Sequence, residues 1–260
     1  MALSSPLLLA LALMLLISLA AWGVSLILND VSFVDSIWSL FFLAAAVVYL
    51  QQATATGPAG ILAFVLLLVW SLRLALHIAI RNWGKPEDAR YQKIRENNEP
   101  NFRFKSLYIV FGLQGVLAFI ISFPLLFAVS NTDSLGGLQW AAAALWLLGF
   151  VFEAGGDWQL MQFRKRRRSE TAVLDNGLWR YSRHPNYFGD TCVWWSYWLF
   201  AAAAGGWWTV FSPLLMTFLI LKVSGVSLLE KTIGSRRPEY ARYVARTSAF
   251  FPWPPKRQEH

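Results

Sequence analysis

The chain has 260 residues, 56% of them hydrophobic and only 15% charged, with a mean hydropathy of +0.43; soluble domains run near 25% charged, so lipid rather than water is the expected solvent. A net charge of +8 and a pI near 9.8 suit either nucleic acid or a membrane surface, and the placement of the charges must decide. One cysteine, Cys192, excludes intramolecular disulfides and Cys-rich zinc or iron–sulfur sites, and its apolar neighbours mark it as a buried, inert thiol.

A spanning helix needs about 20 apolar residues, and seven stretches qualify: 6–28, 34–52, 59–80, 107–129, 138–162, 188–206 and 208–229. The first has no Lys or Arg before it and an apolar run too long for a signal peptide, so it is expected to remain as a helix. The second is less apolar and carries Asp35, Ser36 and Ser39. The third carries Arg73 and His77, four apart and therefore on one face. An ionisable group inside a membrane marks function by default, and Arg73 fits that role or a simple pairing with Asp35 or Asp30. The fourth carries Gln114, and Glu87 lies in the long loop before it; both are weaker site candidates. Gly205 and Gly206 soften the boundary between the last two spans, and Lys222 is placed to snorkel. The tryptophans cluster near span ends, as an interfacial belt or core would require, with Trp194 and Trp195 as candidate cavity residues.

The basic residues fall into three groups. Seven lie between spans three and four, seven between five and six, and seven in the tail, while the loops at 53–58 and 130–137 have none. With seven spans all three groups share one side. The positive-inside rule makes that side cytoplasmic, with the N-terminus outside and the C-terminus inside. Topology thus accounts for the charge without nucleic acid. Arg164-Lys165-Arg166-Arg167-Arg168 exceeds what anchoring needs. P-loop, GxGxxG, His-Glu zinc-helix and Gly-x-Ser-x-Gly patterns are all missing, so any nucleotide site must be non-Rossmann and no metal site is expected.

The most informative segment is Gly177-Leu178-Trp179-Arg180-Tyr181-Ser182-Arg183-His184-Pro185-Asn186-Tyr187-Phe188-Gly189-Asp190. It supplies cationic, hydrogen-bonding and stacking groups just before a membrane helix. Asn186 and Asp190 share a face if the helix begins there. Guanidinium groups suit phosphates, aromatic rings can stack on a base, and a carboxylate such as Asp190 is costly at a membrane interface unless it binds something.

Leu174-x-x-Gly177-x-x-Arg180-x-x-Arg183-His184-Pro185-Asn186-Tyr187-x-Gly189-Asp190 resembles the signature of membrane sterol and steroid reductases. The resemblance is greatest to the steroid 5α-reductase-like group, including its bacterial homologues of the DUF1295 type. Glu153-x-x-x-Asp157 followed by Arg164 is similar to that group's polar helix, and the tail from Glu230 through Tyr240 to Pro252 to its C-terminus. The likeness runs over about 145–254. It implies an all-α, seven-helix enzyme in which residues 131–260 hold NADPH and residues 1–130 enclose an enone lipid. The implied reaction is reduction of the Δ4 double bond of a 3-oxo-steroid or similar enone, with hydride added at the β-carbon.

Carried over on the motif, the implied NADPH contacts are Glu153, Asp157, Arg164, Tyr181, Arg183, His184, Asn186, Tyr187, Asp190, Glu230 and Tyr240. Arg166, Arg167 and Arg168 suit the 2′-phosphate by charge. The N-terminal half departs from the group, which grips the ketone with a Gln–Glu pair in the second helix and a Tyr in the third. Here the second helix offers Asp35 with Trp38 and the third offers Trp70 and Arg73. Asp35, Trp38 and Arg73 are the expected catalytic residues, Asp35 as a ketone-facing acid if burial raises its pKa; its alternative role is helix capping with Ser32 and Ser36.

Two other functions fit the pattern. Isoprenylcysteine and phospholipid methyltransferases carry a similar Arg-His-Pro-x-Tyr stretch and bind S-adenosylmethionine, which has no phosphate to occupy the arginine cluster. A non-enzymatic sterol- or lipid-binding protein would use the fold without turnover. The expected protein is a multi-pass monomer, in a bacterial inner membrane rather than the endoplasmic reticulum, whose partners are a small steroid or enone lipid and membrane lipid.

Overall fold

The computed structural model describes residues 4–167, 169, 172–223 and 240–256, and these are helical or irregular with no strand among them. In chain order the α-helices are α1 (Ser4–Leu28), α2 (Val34–Gln52), α3 (Pro58–Asn82), α4 (Ala89–Asn98), α5 (Phe102–Ser106), α6 (Leu113–Ile121), α7 (Phe123–Val129), α8 (Gly137–Arg166), α9 (Pro185–Ala203), α10 (Phe211–Phe218) and α11 (Tyr240–Arg246). A π-helical stretch, Leu107–Gly112, joins α5 to α6, and a second, Leu219–Val223, follows α10. Single 3-10 turns occupy Gly177–Arg180 and Trp207–Val210.

Among the described residues five helical stretches are long and apolar enough to cross a membrane: Ser5–Leu28, Val34–Gln52, Pro58–Asn82, Phe102–Ile121 and Gly137–Arg166. The fourth is shifted from the expected 107–129. It starts earlier, at Phe102, and breaks at Ser122 because Pro124, in the first turn of α7, has no N–H to continue the helical ladder. The fifth runs a turn further than expected, to Arg166, and its last turn carries Arg164, Lys165 and Arg166, cations that suit the negative end of the helix dipole. Helix α9 has spanning length but is rich in Trp and Tyr and carries Asn186, Asp190, Thr191 and Ser196. Its positions from Gly189 to Ala201 are mostly buried. A helix hidden from lipid is free of the demand for an apolar surface.

The chain forms two compact units, Met1–Gly136 with Phe200–Thr209, and Gly137–Leu199 with Val210–His260. In the first, α2 packs against α1, α3, α6 and α7 and buries Phe41, Phe42, Ala45, Ala46 and Tyr49 completely. Polar side chains on these helices bond across the packing. Ser39 Oγ donates to the Ser71 carbonyl at 2.8 Å, and the Tyr49 and Ser122 hydroxyls meet at 3.0 Å. The outer stripe of α3, with Ile61, Val65, Val69, Leu72, Leu76 and Ile80, is exposed. Such a stripe would be a liability in water and is ordinary where the solvent is lipid.

In the second unit, α8 buries Gln139, Ala142, Trp146, Gly149, Glu153, Gly156 and Asp157. These positions recur at three- and four-residue spacing, the stripe of a helix packed along one face. Small residues set how closely it packs. A Cβ on Gly149 would stand 2.6 Å from the Gly189 carbonyl oxygen, and one on Gly189 would strike the Gly149 carbonyl and the Glu153 amide. The backbones of α8 and α9 therefore touch where the two glycines meet.

Candidate functional site

The close approach of α8 and α9 brings together side chains that the sequence places 29 residues apart. Glu153 and Asp157 lie one turn apart on the buried stripe of α8, Glu153 at 3% exposure. Asn186 and Asp190 lie one turn apart at the start of α9. Asn186 Nδ2 donates to Asp157 Oδ1 at 3.0 Å, and the Asn186 backbone amide would sit 3.1 Å from a Cβ on Gly156. A buried carboxylate must be hydrogen-bonded to be tolerated, and Asn186 supplies one such bond. Since a carboxylate only accepts, the amide nitrogen must face Asp157. Asn186 Oδ1 is then directed elsewhere, buried and without a hydrogen-bond partner among the described residues.

The segment before α9 is held by its own hydrogen bonds. Gly177 adopts φ +58°, a left-handed conformation that favours glycine, and starts a turn that rests on α8. There Leu178 N donates to Gln159 Oε1 at 2.9 Å and Trp179 Nε1 to the Gly156 carbonyl at 3.1 Å. Arg183 is buried, and its Nη1 donates to the Val244 carbonyl at 3.0 Å and the Thr247 carbonyl at 3.4 Å. The guanidinium thus reaches the C-terminal end of α11, where carbonyls lack helical partners. The His184 and Tyr187 rings stack at 5.7 Å and 20°. Tyr181 is 42% exposed and Tyr240 buried. At the end of α8, Arg164, Lys165 and Arg166 are exposed and Arg167 half-buried. Arg168 and Glu230 lie outside the described residues.

Asp35, Trp38 and Arg73 belong to the first unit. The Asp35 carboxylate turns to α4 instead of capping its own helix: Arg90 Nη2 bonds Oδ2 at 2.7 Å and Tyr91 Oη donates to Oδ1 at 2.6 Å. Just before α2, Asp30 closes a local turn, its Oδ1 accepting from Ser32 N and Ser32 Oγ, both at 2.7 Å. Tyr91 Oη also accepts from Gln114 Nε2 at 2.9 Å. Burial, and then the charge of Asp35, push the Tyr91 hydroxyl far above its ordinary range, so it stays a proton donor. Asp88 caps α4 by accepting from Arg90 N at 2.9 Å. Burial raises its pKa, but the hydrogen bonds from Arg90 together with the Arg90 and Arg81 charges outweigh that and hold it below the ordinary value. Glu87 anchors the same segment, accepting from Val31 N at 2.9 Å and pairing with Arg95 at 2.8 Å. Trp38 packs edge-on to Phe42 at 5.3 Å, and Arg73 is half-buried on α3.

Sequence reasoning missed Arg90 and Tyr91 as partners of Asp35, and Ser182 and Tyr243 as the residues that bind the motif to the tail. Tyr91 stands in a short, strongly polar helix, α4, with no apolar periodicity to mark it. The glycines on the α8 stripe were the one available signal for the helix crossing. A cavity of about 360 Å³ in the first unit is lined by Leu126, Phe127, Asn131 and Asp133 among others, and none of the expected site residues borders it. Among the described residues no group of three or more His, Cys, Asp or Glu is arranged to hold a metal ion.

Residues 21–247 match the family described as "Protein of unknown function (DUF1295)", and the chain belongs to that family. It is also similar to an uncharacterized protein of Schizosaccharomyces pombe. The two are 26% identical over 283 aligned residues, covering 96% of this chain and 80% of the relative. No solved structure matches the chain.

Proposed function

We propose that the chain is an NADPH-dependent membrane reductase of an enone lipid, of the 3-oxo-Δ4-steroid kind, with the Glu153–Asp157–Asn186–Asp190 crossing as the cofactor site. The observation that carries this is Asn186. One end of its amide is committed to Asp157 and the other is a buried acceptor with no partner among the described residues. Leaving such a group unmatched costs about 1–3 kcal/mol, and a ribose hydroxyl or a carboxamide N–H supplies the missing donor. The cations at the end of α8 suit the phosphates. Donor set and charge therefore fit a phosphorylated nucleotide, and fit S-adenosylmethionine less well.

When bound, the nicotinamide supplies a hydride; the protein's part is orientation, charge stabilisation and exclusion of water. Asp157, Asn186 and Asp190 orient the nucleotide, and Arg164 to Arg168 neutralise its phosphates. In the first unit the Tyr91 hydroxyl gives its one proton to Asp35 and accepts from Gln114, so with Arg90 it holds the Asp35 carboxylate in place. Helix α9 and the Trp207–Val223 stretch serve as further spans, for seven in all. The three basic segments are then cytoplasmic.

Thermal shift of the detergent-purified protein with NADPH, NADH and S-adenosylmethionine tests the cofactor assignment. NADPH alone is expected to raise the melting temperature, and Arg164→Ala and Asn186→Ala to abolish the rise. Stabilisation by S-adenosylmethionine instead would make the chemistry methyl transfer.

A further inference from the structure

The last described stretch, from α11 to Lys256, is joined to the motif segment by several hydrogen bonds. Tyr243 Oη donates to the Trp179 carbonyl and lies 3.3 Å from the Ser182 carbonyl. Arg183 N donates to the Ser248 carbonyl at 2.9 Å and Trp253 N to the Tyr181 carbonyl at 2.9 Å. Ser182 Oγ, completely buried, donates to the Phe250 carbonyl at 2.7 Å and accepts from His184 N at 3.1 Å. One hydroxyl thus ties the tail to the residue before α9, two positions from Asn186. Side chains make a second link. The Phe250 and Phe251 rings lie 5.9 and 6.1 Å from Phe188, and Phe188 lies 5.2 Å from Phe152, the neighbour of Glu153.

Both links end at the α8–α9 crossing. We infer that residues 240–256 are a strap whose docking sets the geometry of the Asn186–Asp157 site, with Tyr243 and Ser182 as positioning residues that touch no ligand. This rests on the assignment of residues 177–190 to a nucleotide site. The strap holds residues 179–184 through backbone carbonyls and amides and through the Ser182 and Arg183 side chains. Tyr243 suits the task because its buried hydroxyl donates to the Trp179 carbonyl and stands beside the Ser182 carbonyl. If docking favours ligand binding, linkage requires that ligand binding favour docking by the same factor.

The test measures both directions on the full chain in detergent. NADPH titration compares the wild type with Tyr243→Phe and Ser182→Ala. Limited trypsin digestion then follows cleavage after Arg242, which is exposed on α11, with and without NADPH or S-adenosylmethionine. The expected result is affinity weakened about tenfold in each variant, in the range of ordinary coupling energies. Ligand-free melting should fall only by what the loss of one buried hydrogen bond costs, and NADPH should slow cleavage of the wild type by a similar factor. If NADPH binds the variants as tightly as the wild type and leaves the cleavage rate unchanged, the strap is overturned and the cofactor assignment stands. If S-adenosylmethionine binds and protects in place of NADPH, the coupling holds and the cofactor assignment falls. Protection of the wild type is read without any substitution, so a variant that fails to fold leaves the inference falsifiable.

Discussion

Asn186 and Asp157 face each other across two helices at 3.0 Å, and the amide that bonds the carboxylate keeps its own oxygen buried without a partner among the described residues. Asn186 is thereby both a structural bond and a ligand-ready acceptor. Replacing it with Ala removes the donor from a carboxylate that is 9% exposed. The expected cost is about 1–3 kcal/mol of stability with loss of nucleotide binding. Asp157→Asn is expected to lower nucleotide affinity with a smaller loss of stability, since no buried charge is left behind. Thermal melting with and without NADPH separates the two effects.

The glycine contact behind this pair is equally specific. A methyl group on Gly189 would overlap the Gly149 carbonyl and the Glu153 amide, both of them backbone, so no side-chain rotation relieves it. Gly189→Ala is expected to force α8 and α9 apart and destabilise the protein by about 1–3 kcal/mol, the usual range for overpacking. Gly84→Ser serves as a contrast on steric grounds, since nothing lies within 4 Å of a Cβ there, though its φ of +69° carries a backbone cost of its own. Comparative melting temperatures decide it, with Gly189→Ala expected lower.

In the first unit, Asp35 and Tyr91 form a hydrogen bond of 2.6 Å that a double-mutant cycle can weigh. Asp35→Asn, Tyr91→Phe and the double variant are expected to be non-additive, with a coupling of about 0.5–3 kcal/mol as for residues in direct contact. On the proposed function, each single variant also loses most enone turnover while NADPH affinity is retained. Additive stabilities would show the contact to be energetically idle.

Acid should loosen α4 through Asp88. Its folded-state pKa lies below the ordinary carboxylate value because the hydrogen bonds from Arg90, with the Arg90 and Arg81 charges, outweigh burial. As pH falls the unfolded chain takes up the proton first. The stabilisation is therefore fully present above the ordinary carboxylate range and is lost as pH drops through the lowered folded value. Asp88→Asn keeps a good N-cap but removes the charge. Melting profiles between neutral and acidic pH should show a shallower acid limb for the variant.

Much of this protein is legible from composition alone. Low charge and long apolar runs define a multi-helix membrane chain, because every spanning backbone must satisfy its own hydrogen bonds in lipid. The starts of α2 and α3 fall where the apolar pattern places them. The three- and four-residue recurrence of Gly149, Glu153 and Gly156 marks the buried face of α8. The break at Ser122 was available in Pro124, but the apolar run through it masks the interruption.

Pairing across distance was not legible. Asp35 carries a helix-capping pattern with Ser32 and Ser36, yet its carboxylate turns to Arg90 and Tyr91, 55 and 56 residues away. Arg183 has the look of a phosphate ligand, yet its Nη1 bonds carbonyls at the end of α11. Local sequence determines helix, span and family because those depend on the run of neighbouring side chains and the solvent they face. Which carboxylate meets which donor depends on how closely two backbones approach, and that was decided by the contact of Gly149 with Gly189 and by the return of the tail onto Ser182.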